Sequence, residues 1–111
     1  MERGGILVTG ATGYIGGRLV PWLLKEGYSV RCLVRDPERL KDRWDDQVEV
    51  VAGDALRYET LVPALRGVRA AYYLIHSMGG GERGFAERDR RAASNFGRAA
   101  REAGVERIIY L

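Results

Sequence analysis

The spacing of apolar and polar positions changes repeatedly along the chain, and it predicts alternating strands and helices. Short apolar runs predict strands over residues 5–10, 29–35, 48–52, 70–76 and 107–111. Helical spacing of apolar residues predicts helices over residues 14–26, 38–42, 58–66 and 83–103. Strands that alternate with helices favour an α/β fold, in which right-handed crossovers connect parallel strands.

The predicted fourth strand, residues 70–76, is almost entirely apolar. Such a strand is typical of a parallel sheet that helices cover on both faces. We therefore expect a doubly wound parallel sheet with strand order 3-2-1-4-5, built by residues 1–111 as one domain. In such sheets ligands bind at the carboxyl ends of the strands.

Three glycines at regular spacing separate the first predicted strand from the first predicted helix. Gly10, Gly13 and Gly16 form a G-x-x-G-x-x-G pattern. Glycine suits a tight turn because it adopts positive φ without a Cβ penalty. The helix start that follows offers free N–H groups and a positive dipole end, which favour a pyrophosphate. The alternative is a purely structural turn from strand to helix.

Composition and charge narrow the function classes. The chain has 46% hydrophobic and 30% charged residues and a net charge of +3, carried mostly by arginine. Arginines alternate with acids, as in Glu87-Arg88-Asp89-Arg90, which is typical of a solvated helix face rather than a nucleic-acid surface.

No apolar run has the length of a membrane span. The first residues show no signal peptide, so a cytoplasmic location is predicted. The single cysteine, Cys32, is expected to be a buried thiol.

The segment Thr9-Gly10-Ala11-Thr12-Gly13-Tyr14-Ile15-Gly16 resembles a known fingerprint. It is similar to the T-G-A-x-G-x-x-G motif of short-chain dehydrogenases/reductases, above all their extended and atypical branches, which include NmrA-like and nucleoside-diphosphate-sugar epimerase-like proteins. Residues 33–37, 53–55 and 99–105 match further segments of that family in order. The resemblance implies an NAD(P)-binding Rossmann domain. Its implied loop contacts are Gly10, Thr12, Gly13, Tyr14, Ile15 and Gly16.

The end of the second strand bears on the choice of nicotinamide cofactor. An acid there would bind the 2′-hydroxyl of NAD, but the resemblance places that position at Val34, with Arg35 next. An arginine can pair with the 2′-phosphate of NADP in a forked geometry. We therefore predict NADP(H) rather than NAD. The alternatives are that Arg35 only extends along the surface, or that Asp36 is the NAD acid; Asp36 is better explained as a cap before Pro37.

Two further strand ends are implied cofactor contacts. In the resembling family, an aspartate after the third strand and its neighbour meet the adenine, which here are Asp54 and Ala55. The alternative for Asp54 is a turn or a helix cap. The end of the fourth strand lies near the nicotinamide ribose in that family, which implies contacts from Ile75 and His76. A lone histidine is more often structural than catalytic.

The catalytic residues of the resembling family have no counterparts in this chain. No tyrosine has a lysine four residues later, and the family's catalytic Ser or Thr would follow the fifth strand. We therefore predict that the chain carries no catalytic residue and no metal site, and that it is the N-terminal part of a longer NADP(H)-dependent oxidoreductase or epimerase. A non-catalytic NADP(H) sensor or scaffold of NmrA-like type is the alternative. The substrate stays open, and the apolar edge at residues 108–110 is expected to favour self-association.

Overall fold

The fold is a five-stranded parallel sheet in a computed structural model that describes residues 5–40, 43–44, 47–75 and 83–110. The strands are β1 (Gly5–Thr9), β2 (Ser29–Val34), β3 (Val48–Ala52), β4 (Val68–Tyr73) and β5 (Arg107–Tyr110). The helices are α1 (Tyr14–Lys25), α2 (Leu61–Leu65) and α3 (Arg83–Ala103), with 3-10 helices at Pro37–Leu40 and Tyr58–Thr60. The order is β3-β2-β1-β4-β5, which confirms the predicted topology and places β1 at the centre.

The two faces of the sheet bury separate apolar cores, because successive side chains of a strand point to opposite faces. On one face Leu7 and Tyr73 pack with residues of α2 and α3, and the Phe96 ring lies 4.9 Å from the Tyr73 ring between centroids. On the other face Val8 and Cys32 pack with α1. Helices therefore cover both faces of the sheet. The loops lie at its two remaining sides, where the strands begin and end.

The fourth strand is shifted toward the amino end relative to its prediction. It spans Val68–Tyr73 instead of residues 70–76. Leu74 leaves the ladder because its N–H donates to the Thr9 side-chain hydroxyl, at 3.0 Å, instead of to a neighbouring strand. Of the last three predicted strand residues, Leu74 and Ile75 are outside the strand, and His76 lies outside the described residues.

The predicted helix over residues 58–66 is divided into two short helices. A 3-10 turn at Tyr58–Thr60 precedes α2 at Leu61–Leu65. Pro63 explains the division, since in one continuous α-helix its ring would clash with the carbonyl of Glu59 and would leave that carbonyl without a donor. A helix that begins at Leu61 places Pro63 in its first turn, where no N–H is required.

The segment after β2 is a single 3-10 turn over Pro37–Leu40 instead of a helix over residues 38–42. Asp36 precedes it, and its Oδ1 accepts a hydrogen bond from the Glu38 N–H at 3.1 Å. The capping role predicted for Asp36, with Pro37 in the first helical position, is therefore confirmed.

Cys32 lies in the middle of β2 and is fully buried, as its apolar surroundings predict. Burial disfavours the thiolate and raises the pKa of this thiol to about 11. Cys32 is therefore a protonated core residue at neutral pH, with no sign of the low pKa that marks a reactive thiol.

Arg31 connects β2 with β3 and with the end of α2 through side-chain hydrogen bonds. Its Nη1 donates to the carbonyl oxygens of Ala64 and Arg66, each at 2.7 Å. Its Nε donates to Glu49 Oε1 of β3 at 2.8 Å. The guanidinium thereby satisfies carbonyl groups at the end of α2, which would otherwise lack donors.

Helix α3 is the longest element, with 21 residues. Its inward side is formed by small or aromatic residues, namely Ala92, Phe96, Ala99 and Ala100, all of which are buried. Its outward side is highly charged. None of the helices in the described residues is both long enough and apolar enough to cross a membrane.

Candidate functional site

The glycine loop connects the central strand β1 to helix α1 at the carboxyl edge of the sheet. Gly10 has a φ of +75°, in the region that favours glycine. A Cβ at Gly10 would also lie only 2.9 Å from the carbonyl oxygen of Leu74. Both the backbone conformation and the chain that follows β4 therefore require a glycine at this position.

Gly16 brings the first turn of α1 directly against the loop. A Cβ at Gly16 would lie 2.2 Å from the carbonyl oxygen of Gly10 and 2.7 Å from the Ala11 Cα. Both are backbone atoms, so no side-chain rotation could make room. Gly13 closes the turn, because its N–H donates to the Gly10 carbonyl at 3.0 Å. The loop and the helix start consequently form one tightly fitted unit.

The amino end of α1 is open to an incoming anion. Gly13 is its N-cap, no side chain of the described residues caps it, and its first turn holds no acidic residue. The N–H groups of Tyr14, Ile15 and Gly16 have no helical acceptor, as at any helix start. The helix dipole adds a partial positive charge there. The predicted loop residues Thr12, Tyr14 and Ile15 are exposed beside these donors, and the Arg18 guanidinium lies 4.5 Å from the Tyr14 ring centroid.

Thr9 joins the ends of β1 and β4, a role that sequence reasoning missed. Its side chain is fully buried. The hydroxyl donates to the Tyr72 carbonyl at 3.1 Å and accepts from the Leu74 N–H at 3.0 Å. A hydroxyl side chain at the end of an otherwise apolar central strand was the available signal. The contact fixes the position of Leu74 against Gly10.

Substituting Thr9→Val should lower the free energy of unfolding by about 1–3 kcal/mol, because the Leu74 N–H and the Tyr72 carbonyl lose a buried partner. Valine keeps the shape of threonine, so packing changes little. Urea denaturation followed by circular dichroism measures the effect. Thr9→Ser, which retains the hydroxyl, is the matched control, and a valine variant more stable than the serine variant would contradict the bridging role.

Arg35 follows β2 at the same edge. Val34, the last strand residue, is buried, and Arg35 itself is exposed. Among the described residues Arg35 has no hydrogen-bond or ion-pair partner. The Gly53 N–H donates to the Val34 carbonyl at 2.9 Å, which keeps the ends of β2 and β3 side by side. The predicted cofactor contacts Arg35 and Asp54 therefore follow the carboxyl ends of two adjacent strands.

Asp54 and Ala55 follow Gly53 in the segment after β3, and side-chain hydrogen bonds hold them. Asp54 Oδ1 accepts from the Leu56 N–H at 2.9 Å, which gives Asp54 the turn role considered as the alternative. The Asp54 N–H donates to Thr60 Oγ1 at 2.9 Å. Asn95 Nδ2 of α3 donates to the Ala55 carbonyl at 2.9 Å. The second carboxylate oxygen of Asp54 accepts no hydrogen bond from the described residues, and its contact with adenine stays a prediction.

The predicted residues after β4 are only partly covered by the structure. Leu74 is buried against the glycine loop, whereas the Ile75 side chain is 38% exposed. His76 lies outside the described residues. Ile75 follows β4, the strand next to β1. The described candidates thus lie at the carboxyl ends of the four neighbouring strands β3, β2, β1 and β4.

An open cavity of about 330 Å³ lies at the opposite edge of the sheet. It is lined by residues at the amino ends of the strands, among them Gly5, Ser29 and Val48. None of the predicted cofactor contacts lines it. Ligands of such sheets bind at the carboxyl ends of the strands, where the predicted contacts lie.

A protein-family model described as NAD(P)H-binding matches residues 10–111. A 3 beta-hydroxysteroid dehydrogenase/Delta 5-->4-isomerase of Mycobacterium tuberculosis is 34% identical over 118 aligned positions, which cover 98% of this chain and 31% of that protein. Among solved structures, the triphenylmethane reductase of Citrobacter sp. complexed with NADP(H) is similar, with 31% identity and a TM-score of 0.78, over 96% of this chain and 36% of that one.

An NADPH-dependent quinone oxidoreductase of Escherichia coli, complexed with NADPH, is also similar. It has 27% identity and a TM-score of 0.76, over 95% of this chain and 35% of that one. The chain therefore spans about a third of the length of the relatives that it matches. The predicted resemblance to extended short-chain dehydrogenases/reductases is confirmed. With its Rossmann sheet and its glycine loop, the chain belongs to the NAD(P)H-binding protein family.

Proposed function

We propose that this chain binds NADP(H) across the carboxyl edge of its sheet, as the cofactor-binding part of a reductase or an epimerase-like enzyme. The observation that carries the proposal is the fit of the glycine loop to the start of α1. A Cβ at Gly16 would lie 2.2 Å from the Gly10 carbonyl oxygen, so the loop lies directly against the uncapped helix end. This arrangement supports binding of the cofactor pyrophosphate.

The pyrophosphate would bind the N–H groups of Tyr14, Ile15 and Gly16. No carboxylate in the first turn of α1 competes with an anion there. Hydrogen bonds from backbone N–H groups to a charged phosphate are stronger than those between neutral groups. The exposed Thr12 hydroxyl is a further donor beside the loop.

The adenosine would extend across the ends of β2 and β3. Arg35 would bind the 2′-phosphate, which is supported by its exposure and by its lack of partners among the described residues. Asp36 is a weaker candidate for the NAD acid, since its carboxylate already accepts the Glu38 N–H. Asp54 and Ala55 would contact the adenine, while Ile75 and His76 would lie near the nicotinamide ribose.

The bound cofactor would supply hydride transfer, and this chain would bind and orient it. The printed names of the relatives support a reductase: a dehydrogenase/isomerase, a triphenylmethane reductase and a quinone oxidoreductase. The two solved structures contain NADP(H) or NADPH, which supports the choice of NADP(H) over NAD.

Titration of the intact protein with NADPH and with NADH tests the proposal, with cofactor fluorescence as the readout. NADPH should bind at least about tenfold more tightly, because Arg35 adds a charge-assisted contact to the 2′-phosphate. Equal affinities would contradict the role of Arg35. Absence of binding by either cofactor would contradict the dinucleotide site as a whole. Adenosine 2′,5′-bisphosphate and AMP, compared by their ability to displace bound NADPH, isolate the contribution of the 2′-phosphate.

A further inference from the structure

Helix α3 reaches over the segment that follows β3, here called the 54–60 segment (Asp54 to Thr60). Three residues of α3 contact it, namely Asn95, Arg98 and Glu102. They are spaced by three and four positions and so lie on one face of the helix. Asn95 Nδ2 donates to the Ala55 carbonyl at 2.9 Å. The Tyr58 hydroxyl donates to Glu102, and the Arg98 guanidinium lies 4.4 Å from the Tyr58 ring centroid.

We propose that Asn95 is a positioning residue for the adenine end of the dinucleotide site, acting through the Ala55 carbonyl. The inference rests on the proposed function, because it assumes that adenine contacts the chain at Asp54 and Ala55. It adds a residue to that site which lies on a distant helix and touches no cofactor atom itself.

The Asn95 amide is well placed to fix the backbone at Ala55. Its neighbour Phe96 is fully buried and packs on the Tyr73 ring, so the core holds this turn of α3 in place. Ala55 is itself 6% exposed, which shields its carbonyl from water. A shielded carbonyl that loses its donor is costly, so the Asn95 contact is a strong restraint on where Ala55 lies.

The restraint passes directly to Asp54. The rigid peptide that contains the Ala55 carbonyl also contains the Leu56 N–H, and on the other side the Asp54 N–H donates to Thr60 Oγ1 at 2.9 Å. Asp54 Oδ1 is held by the Leu56 N–H. With these bonds in place, the position of the second carboxylate oxygen depends on the backbone that Asn95 fixes. Without the Asn95 donor, the backbone at Ala55 loses one of the hydrogen bonds that hold it in place.

The test compares cofactor fragments that report on the two ends of the site. Asn95→Asp keeps the size of the side chain but removes the donor and sets a carboxylate beside a carbonyl oxygen. In the intact protein, calorimetric titration should show AMP and NADPH binding weakened by about tenfold. Nicotinamide mononucleotide, which lacks adenine, should bind with an affinity within twofold of the unsubstituted protein.

Asn95→Ala removes the donor without adding a charge, and should give the same split between the two fragments. Asn95→Gln keeps an amide donor, and should restore AMP affinity to within about threefold of the starting protein. Ser94→Ala, at the adjacent exposed position of α3, is the matched control and should change neither fragment.

The outcomes separate the inference from the function on which it rests. If the unsubstituted protein binds neither NADPH nor AMP, the proposed function is wrong. If it binds both and Asn95→Ala leaves AMP affinity unchanged, the positioning role is wrong. Equal weakening of AMP and nicotinamide mononucleotide would assign Asn95 to general stability and would also overturn the inference.

Discussion

Substituting Gly16→Ala should abolish NADPH binding at micromolar concentrations and destabilise the fold. The added Cβ would lie 2.2 Å from the Gly10 carbonyl oxygen, so α1 must move away from the loop. Overpacking of this kind costs about 1–3 kcal/mol of unfolding free energy. Displacement of the backbone N–H donors of α1 from the pyrophosphate should weaken NADPH binding by about a hundredfold or more. Urea denaturation and NADPH fluorescence measure the two effects.

The adjacent glycine provides a matched control for this prediction. Among the described residues, a Cβ at Gly17 meets nothing closer than the Ala11 carbonyl oxygen at 3.9 Å, which is ordinary contact. Because alanine is a better helix former, Gly17→Ala should stabilise the protein by about 0.5–1 kcal/mol and leave NADPH affinity unchanged. If Gly16→Ala and Gly17→Ala had the same effects on stability and on NADPH affinity, the close approach at Gly16 would not matter for either property.

The second large effect is expected at Arg35, where Arg35→Ser should remove the preference for NADPH over NADH. A charge-assisted contact to the 2′-phosphate is worth about 1.5–3 kcal/mol, so NADPH affinity should fall by about tenfold to a hundredfold. NADH carries no 2′-phosphate, so its affinity should stay the same. Parallel fluorescence titrations with the two cofactors give the ratio of dissociation constants.

Arg66→Ser removes the same charge at the opposite edge of the sheet, beyond the end of α2, and should change neither affinity. A loss of NADPH binding in both serine variants would mean that the net charge of the chain, and not a contact at Arg35, favours NADPH. If Arg35→Ser, but not Arg66→Ser, lowered the affinity for NADH as much as the affinity for NADPH, Arg35 would contact a part of the cofactor other than the 2′-phosphate.

The strand order could be predicted because it follows from local patterns. Alternating apolar runs and helical periods leave few arrangements for a parallel sheet, and the G-x-x-G-x-x-G spacing marks where α1 begins. The tight contact between Gly16 and Gly10 is likewise local. The division of the 58–66 helix was also encoded locally, at Pro63, and could have been predicted from that residue.

The long-range contacts could not be predicted from patterns. Thr9 meets Leu74 across 65 positions, and Asn95 meets Ala55 across 40. Both contacts depend on how the strands align and on where α3 crosses the sheet, which no single segment specifies. The early end of β4 has the same origin, because a threonine hydroxyl from another strand takes the Leu74 N–H. The contacts assigned to Arg35 and Asp54 stay predictions until a cofactor is bound.

The bridge between Thr9 and Leu74 also sets an order of events during synthesis. The glycine motif leaves the ribosome well before Leu74, since the two bonded residues are separated by 65 positions. Gly10 approaches Leu74, so the far wall of the loop does not yet exist when the motif emerges. The contact between the glycine loop and Leu74 can therefore form only after β4 has been made.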